Sequence, residues 1–469
     1  MSISRRDFMR TCSAVSMGFW GLSQLACSST HSRRIAAMRT PAPGYGPLQP
    51  DPDGLLDLPA GFTYKIISEY GEIMDDGFIL PGAPDGMATF EGPGGTTILI
   101  RNHELMPNFR SPFGEDLSLY GKIDKQKIYD VGSDRTPSAG GTTTLVYNTR
   151  TQTVEKQWLS LVGTIRNCAG GPTPWNTWIT CEETVLTTGV TDENITIDKD
   201  HGYNFEVPAT SEIGLADPIP LKAMGRFNHE AVAVDPASGI IYQTEDRHNG
   251  LLYRFIPNKP DKLADGGKLQ ALKMPDNIKD TRNWEDRHPD IQIARKYTVS
   301  WMDIEDVESP KDELRIHGYN DGAARFARGE GMWLGSDGIY FACTSGGRKK
   351  IGQIWRYVPS PLEGTPGEKS KPGTLELFIE PNDSNLVENA DNLTAAPWGD
   401  LIICEDRSKD VVRLVGVTPN GQLYTFAHSH QRTEFAGVCF SPDGSTMFVN
   451  AQGVGRTFAI TGPWEQRSV

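Results

Sequence analysis

The sequence predicts an all-β protein, a six-bladed β-propeller with insertions between blades. Three observations carry this: one hairpin motif recurs six times, turn formers are abundant, and no apolar run of membrane-spanning length lies beyond the first 30 residues. The hairpins occupy residues 85–104, 168–183, 230–246, 330–345, 391–406 and 436–452. In each, a short strand, polar at its first residue in five copies, is followed by a turn and a second strand, which ends near an acid in most copies. The turns include EGPGG (91–95), DPASG (235–239), GSDG (335–338), PWGD (397–400) and SPDG (441–444). Their Gly and Pro supply the positive or fixed φ that tight connections need, and strands such as GIIYQT and DLIICE suit a half-buried pleat. A pair of β-sandwiches is the competing architecture, but sandwiches do not require one hairpin to recur along the whole chain.

The N-terminus reads as an address. Ser4-Arg5-Arg6-Asp7-Phe8-Met9-Arg10 precedes a modestly apolar stretch, the pattern of a twin-arginine export signal. We divide the chain into a signal peptide (1–26), a linker (27–50) and a single propeller domain (51–469). The expected location is periplasmic or secreted, reached through the twin-arginine translocase. Leu25-Ala26-Cys27 followed by serines resembles a lipoprotein cleavage site, from which Gln24 departs, so a lipid anchor at Cys27 stays open.

Charge narrows the function. The formal net charge of −14 argues against nucleic acid as a partner, because such binding needs clustered cations. Aligned on their turns, the repeats place Asp85, Cys168, Glu230, Glu330, Asp391 and Ala436 at equivalent strand starts, with Glu434 two residues ahead of the last. The copies also end alike, at Glu104, Glu182-Glu183, Glu245-Asp246, Thr344, Glu405-Asp406 and Asn450. A propeller's inner strands line its channel, so the starts converge on one axis. Carboxylates gathered there repel by several kcal/mol unless they protonate or meet cations, which makes metal binding the expected answer. Carboxylates suit calcium or ferric iron, whereas the thiolate of Cys168 selects a transition metal.

Beyond the signal, Cys168, Cys181, Cys343, Cys404 and Cys439 are odd in number and irregular in spacing, unlike a disulfide framework. Four lie in apolar strand patterns and read as core, while Cys168 sits in Asn-Cys-Ala-Gly-Gly, which offers little packing. In Asn102-His103-Glu104 and Asn228-His229-Glu230, strand alternation lets only one neighbour face the axis, and the glutamates are the better ligands for hard metals. No nucleophile elbow, P-loop, zinc helix or CxxC pair occurs in a fitting context. The acidic run 301–312 lacks the pattern of a calcium loop and reads as an exposed insertion.

The twin-arginine start, NCAGG (167–171) with TCEE (180–183), GRFNHEA (225–231), FARGEG (326–331), DNL (391–393) and SPDG with FVN (448–450) together resemble the PhoX family of secreted alkaline phosphatases. The resemblance spans about residues 50 to 460. It implies a monomeric, six-bladed phosphatase whose axial site holds two ferric irons bridged by a cysteine thiolate, beside calcium, and whose substrate is a small phosphate ester. Carried over by motif, Cys168 is the bridging ligand and Glu230, Glu330 and Glu434 bind iron. Glu104, Glu182, Glu245, Asp391 and Glu405 are ligands to iron or calcium, and Arg328 binds the phosphate. Members often carry Lys where this chain has Asn228, which puts rate and substrate range in question. Two other classes remain: a calcium-dependent propeller lactonase or phosphotriesterase, and a non-catalytic envelope propeller that binds a partner.

Overall fold

The six hairpins become the inner halves of six antiparallel sheets in the computed structural model, which describes residues 42–107, 109–191, 195–284, 291–407 and 411–468. The signal peptide and Cys27 lie outside the described residues. The first blade comprises Pro84–Glu91, Thr97–His103, Gly140–Asn148 and Thr153–Thr164; the second has three strands, Asn167–Pro172, Thr177–Glu182 and Asn204–Pro208. The third runs through His229–Val234, Ile241–Glu245, Gly250–Pro257 and Gly267–Lys273, and the fourth through Gly329–Gly335, Gly338–Cys343, Gln353–Val358 and Thr374–Ile379. The fifth comprises Ala390–Ala395, Leu401–Glu405, Val412–Val417 and Leu423–Ser429. In the sixth, Phe435–Phe440, Thr446–Ala451 and Arg456–Thr461 are joined by Thr63–Glu69, so a strand from early in the chain closes the circle.

Each inner strand touches those of the blades before and after it, which makes a closed ring of six. The core lies between neighbouring sheets: Tyr242 and Leu252 of the third blade pack with Phe341, Trp355 and Leu375 of the fourth. Cys181, Cys343, Cys404 and Cys439 are buried free thiols within these sheets.

Residues ahead of the expected domain start at 51 also join the propeller: Gly44 N–H donates to Ser468 O at 3.0 Å and Tyr45 packs on Phe62 and Trp464. The run 301–312 is not wholly an exposed insertion. Ser300–Asp303 forms the outer edge of the third blade, paired with Gly267–Lys273, while Lys296–Thr298 edges the fourth.

Candidate metal centre

All six inner strands carry a β-bulge near their start, where two residues oppose one on the neighbouring strand. A bulge re-aims side chains, and in five of the six blades it turns a donor toward the axis. In five blades the bulged pair is Asp85-Gly86, Cys168-Ala169, Glu230-Ala231, Glu330-Gly331 and Asp391-Asn392. In two of these the second residue is glycine for a steric reason: a Cβ on Gly86 would sit 2.6 Å from Ala169 Cα, and one on Gly331 2.7 Å from Asn392 Cα. In the sixth blade the bulge lies at Gly437-Val438, and Ala436 supplies no donor.

A second tier surrounds the first. The N–H groups of Glu104, Glu183, Asp246, Thr344, Asp406 and Gln452, each at or just past the end of a second strand, donate at 2.9–3.1 Å to the carbonyls of Ala83, Arg166, Asn228, Arg328, Asn389 and Glu434. The latter six form an entrance ring, in which Ala83, Arg166, Arg328 and Asn389 adopt left-handed backbone. The two tiers bring Glu434, Arg166 and Arg328 to the same mouth as the bulge donors. Asp85 is anchored by Gln452, whose Nε2 donates to Asp85 Oδ2 at 2.7 Å and to Glu104 Oε2 at 2.8 Å.

Three overlapping triads have ligand atoms within 4.8 Å of one another: Cys168, Glu183 and Glu230; Glu230, Glu330 and Asp391; Asp391, Asp406 and Glu434. Thus Cys168, Glu230, Glu330, Asp391 and Glu434 share one connected cluster. Glu104 reaches it through Arg166, whose Nη2 lies 2.6 Å from Glu104 Oε1 and also pairs with Glu183. Arg328 grips Asp246 with Nε and Nη2 at 2.7 and 2.9 Å and reaches Glu330 Oε1 at 2.7 Å.

Glu182, Glu245 and Glu405 are not brought to this cluster. Each pairs as the last residue of a second strand, so alternation turns it away from the axis while the next residue faces the mouth. All three are fully buried and satisfied by other donors. Glu182 accepts from Ile165, Gly202 and Tyr203 N–H and lies 2.6 Å from His201 Nδ1, whose Nε2 meets Asp130. The two carboxylates outweigh burial and hold the His201 imidazole up at about 9. Glu245 accepts from Leu251 N–H and Tyr253 Oη, and Glu405 from Glu388 N–H and the Arg413 guanidinium. These acids fix loops, and their neighbours Glu183, Asp246 and Asp406 take the axial places. The sequence places those three at the repeat ends without separating them from their neighbours, and Arg166 was missed. Copying the register of His103-Glu104 onto the other blades finds the three acids.

Burial and mutual repulsion dominate the electrostatics. Desolvation, then the charges of Glu104, Asp391 and Glu434, pushes Asp85 well above the carboxylate range. Glu230 and Glu330 are raised likewise, and Asp391, Glu183 and Glu434 are pushed to about 7, about 8 and about 9. The Cys168 thiol is raised by burial and by Glu230. Against this, Arg166 and Arg328 stay cationic: burial opposes their charge, but the adjoining carboxylates outweigh it.

The donor set fits metal ions. Asp85 Oδ1 and Asn228 Oδ1 are buried without a hydrogen-bond partner, which costs about 1–3 kcal/mol each unless another group meets them. Cations at the triads would relieve the charge repulsion among the clustered carboxylates. The thiol-containing triad offers a soft donor, and the triad of Asp391, Asp406 and Glu434 offers oxygen alone.

The family model described as alkaline phosphatase PhoX matches residues 43–455. A solved structure of Pseudomonas fluorescens PhoX in complex with vanadate, a transition state analogue, shares the fold: TM-score 0.63 at 17% identity, covering 90% of this chain and 98% of that one. A gluconolactonase from Xanthomonas campestris aligns over 89% of this chain and 98% of its own, but at 12% identity and a TM-score of 0.38, too low to carry an argument. No curated protein sequence matches the chain.

Proposed function

Because the chain belongs to the PhoX family of alkaline phosphatases and is thereby a metal-dependent phosphatase on a six-bladed propeller, we propose that it hydrolyses small phosphate monoesters at the axial ring, using iron and calcium. The observation that supports this most is the run of triads from Cys168 to Glu434 with Arg328 at its edge. Cys168, Glu183, Glu230 and Glu330 would hold iron, since a soft thiolate among clustered carboxylates selects a high-charge transition ion over calcium. Asp391, Asp406 and Glu434 would hold calcium, which takes oxygen alone. This moves Glu434 from the iron set that its motif implies to the oxygen-only end. When bound, the metals supply Lewis acidity and neutralise charge on the phosphoryl group.

The chain's own residues do the rest. The guanidinium fork of Arg328 is held flat against Asp246, and it can present its remaining N–H groups to phosphoryl oxygens as charge-assisted donors. Arg166 offers a second fork. Asn228, at the entrance position between them, contributes a neutral amide where the resemblance leads one to expect lysine, so it can donate a hydrogen bond but adds no charge. The glycine-lined approach of the inner strands leaves little space below the ring, which directs substrate and product through one mouth.

Export fits this reading: a twin-arginine signal would deliver the protein folded and metal-loaded, as a monomer, to the periplasm or beyond, with Cys27 available for a lipid anchor. The lactonase and partner-binding readings are not favoured, since neither gives a role to the thiol inside the acidic cluster. Elemental analysis of protein exported in its native host tests the assignment. Iron together with calcium is expected, and calcium alone would overturn it.

A further inference from the structure

In the fourth blade the end of the second strand carries no acid and leads into a basic loop. At the second-strand ends, Glu104, Glu183, Asp246 and Asp406 present acids, whereas the fourth blade presents Thr344 and the sixth Gln452. The loop that follows Thr344 carries Lys349 and Lys350, both exposed, in a chain whose net charge is −14. Arg328 lies at the root of this loop. Its N–H donates to Arg247 O at 2.9 Å and its carbonyl accepts from Thr344 N–H at 3.0 Å, so the loops after Arg247 and after Thr344 both start from its own hydrogen bonds.

These loops are tied together above it. His248 Nδ1 lies 3.3 Å from Ser345 Oγ, and Trp284 Nε1 donates to Ser345 O. The Trp284 ring carries two cations, Arg282 at 4.0 Å and Lys350 at 4.5 Å. Arg282 is neutralised by Asp280, which it grips at 2.8 Å through both Nε and Nη2. Among the described residues neither Lys350 nor Lys349 forms an ion pair, and the indole face holds the Lys350 ammonium in place at little further entropic cost.

We propose that this rim is a second anion subsite, which favours phosphate esters whose alcohol carries a further phosphate. The inference rests on the phosphatase reading: the ester phosphate sits at Arg328 and the second phosphate meets Lys349 and Lys350. Both lysines are exposed on a loop, so replacing them should leave the blades folded.

The test compares kcat/KM for fructose 1,6-bisphosphate and p-nitrophenyl phosphate, using natively exported, metal-loaded protein. The double variant Lys349→Ser/Lys350→Ser should lose about tenfold for the bisphosphate, mainly through KM, a change of about 1.4 kcal/mol. The loss for p-nitrophenyl phosphate should be several-fold smaller. The ratio of the two values should fall with added salt in the unsubstituted protein and be flat in the variant, because exposed charges are screened. Equal losses for both substrates, or none for either, would overturn the subsite while leaving the phosphatase reading standing. Failure of the unsubstituted protein to hydrolyse either substrate would overturn both.

Discussion

Arg166 and Arg328 occupy the same register position two blades apart. Each immediately precedes the first paired residue of an inner strand, with φ of 52° and 54°, and each stands two residues before a ring donor, Cys168 or Glu330. Each carbonyl accepts the N–H of a mouth residue, Glu183 or Thr344, and each guanidinium joins two carboxylates. The propeller repeat thus sets two guanidinium groups at equivalent places on the rim of one acidic ring.

Replacing Arg328 with Ala should lower kcat/KM for p-nitrophenyl phosphate by about a hundredfold, near 2–3 kcal/mol for a lost charge-assisted hydrogen bond. Bound metal should be retained. Arg328→Lys should recover only part, since an ammonium cannot reproduce the fork. Arg166→Ala should also lower the rate, and unsubstituted kinetics there would show that one fork suffices. Steady-state kinetics with parallel metal analysis reads all three.

Neighbouring acids should separate cleanly. Asp406→Asn is expected to reduce calcium content with little change in unfolding free energy. Glu405→Gln, which weakens the pairing of the buried Arg413, should cost about 3 kcal/mol and keep the metal stoichiometry. Denaturant melts beside elemental analysis would show the crossed pattern; matching effects at both positions would argue against the register assignment.

Cys168→Ser replaces a soft donor by a hard one and should lose iron while retaining calcium. Cys181→Ser, opposite the same bulge, should keep iron and cost about 1–3 kcal/mol for burying a hydroxyl. Iron loss in both variants would assign the effect to general unfolding.

In metal-depleted protein, the raised carboxyls give stability a definite pH dependence. Asp391, Glu183 and Glu434 titrate at about 7, about 8 and about 9 when folded, above their unfolded values near 4. The folded chain therefore binds more protons than the unfolded one, and stability falls as pH rises across roughly 4 to 9. Metal binding must displace those protons, so the loaded protein should be nearly flat over that range and loading should release acid. Thermal melts at several pH values, with and without metal, check this.

Much of the fold was legible because the inner hairpin repeats and its turn residues are explicit. Closure was not: Thr63–Glu69 reads as an ordinary strand, and only the ring shows that it pairs with Arg456–Thr461. The bulge donors Cys168, Glu230, Glu330 and Asp391 were legible as equivalent starts of one motif. Glu183, Asp246 and Asp406 were not separated from Glu182, Glu245 and Glu405, because adjacent acids differ only in the face they take. That face is set by register, which the pairing of Asn167 with Glu182, His229 with Glu245 and Ala390 with Glu405 decides. Arg166 escaped notice because its motif was read from Asn167 onward.

The central claim, that the axial ring is a metal-charged phosphatase site, is tested most directly by hydrolysis of p-nitrophenyl phosphate at alkaline pH with natively loaded protein, before and after calcium chelation. The account predicts activity that disappears on chelation and returns with added calcium. Metal-loaded protein without activity, or activity that survives complete metal removal, would contradict it.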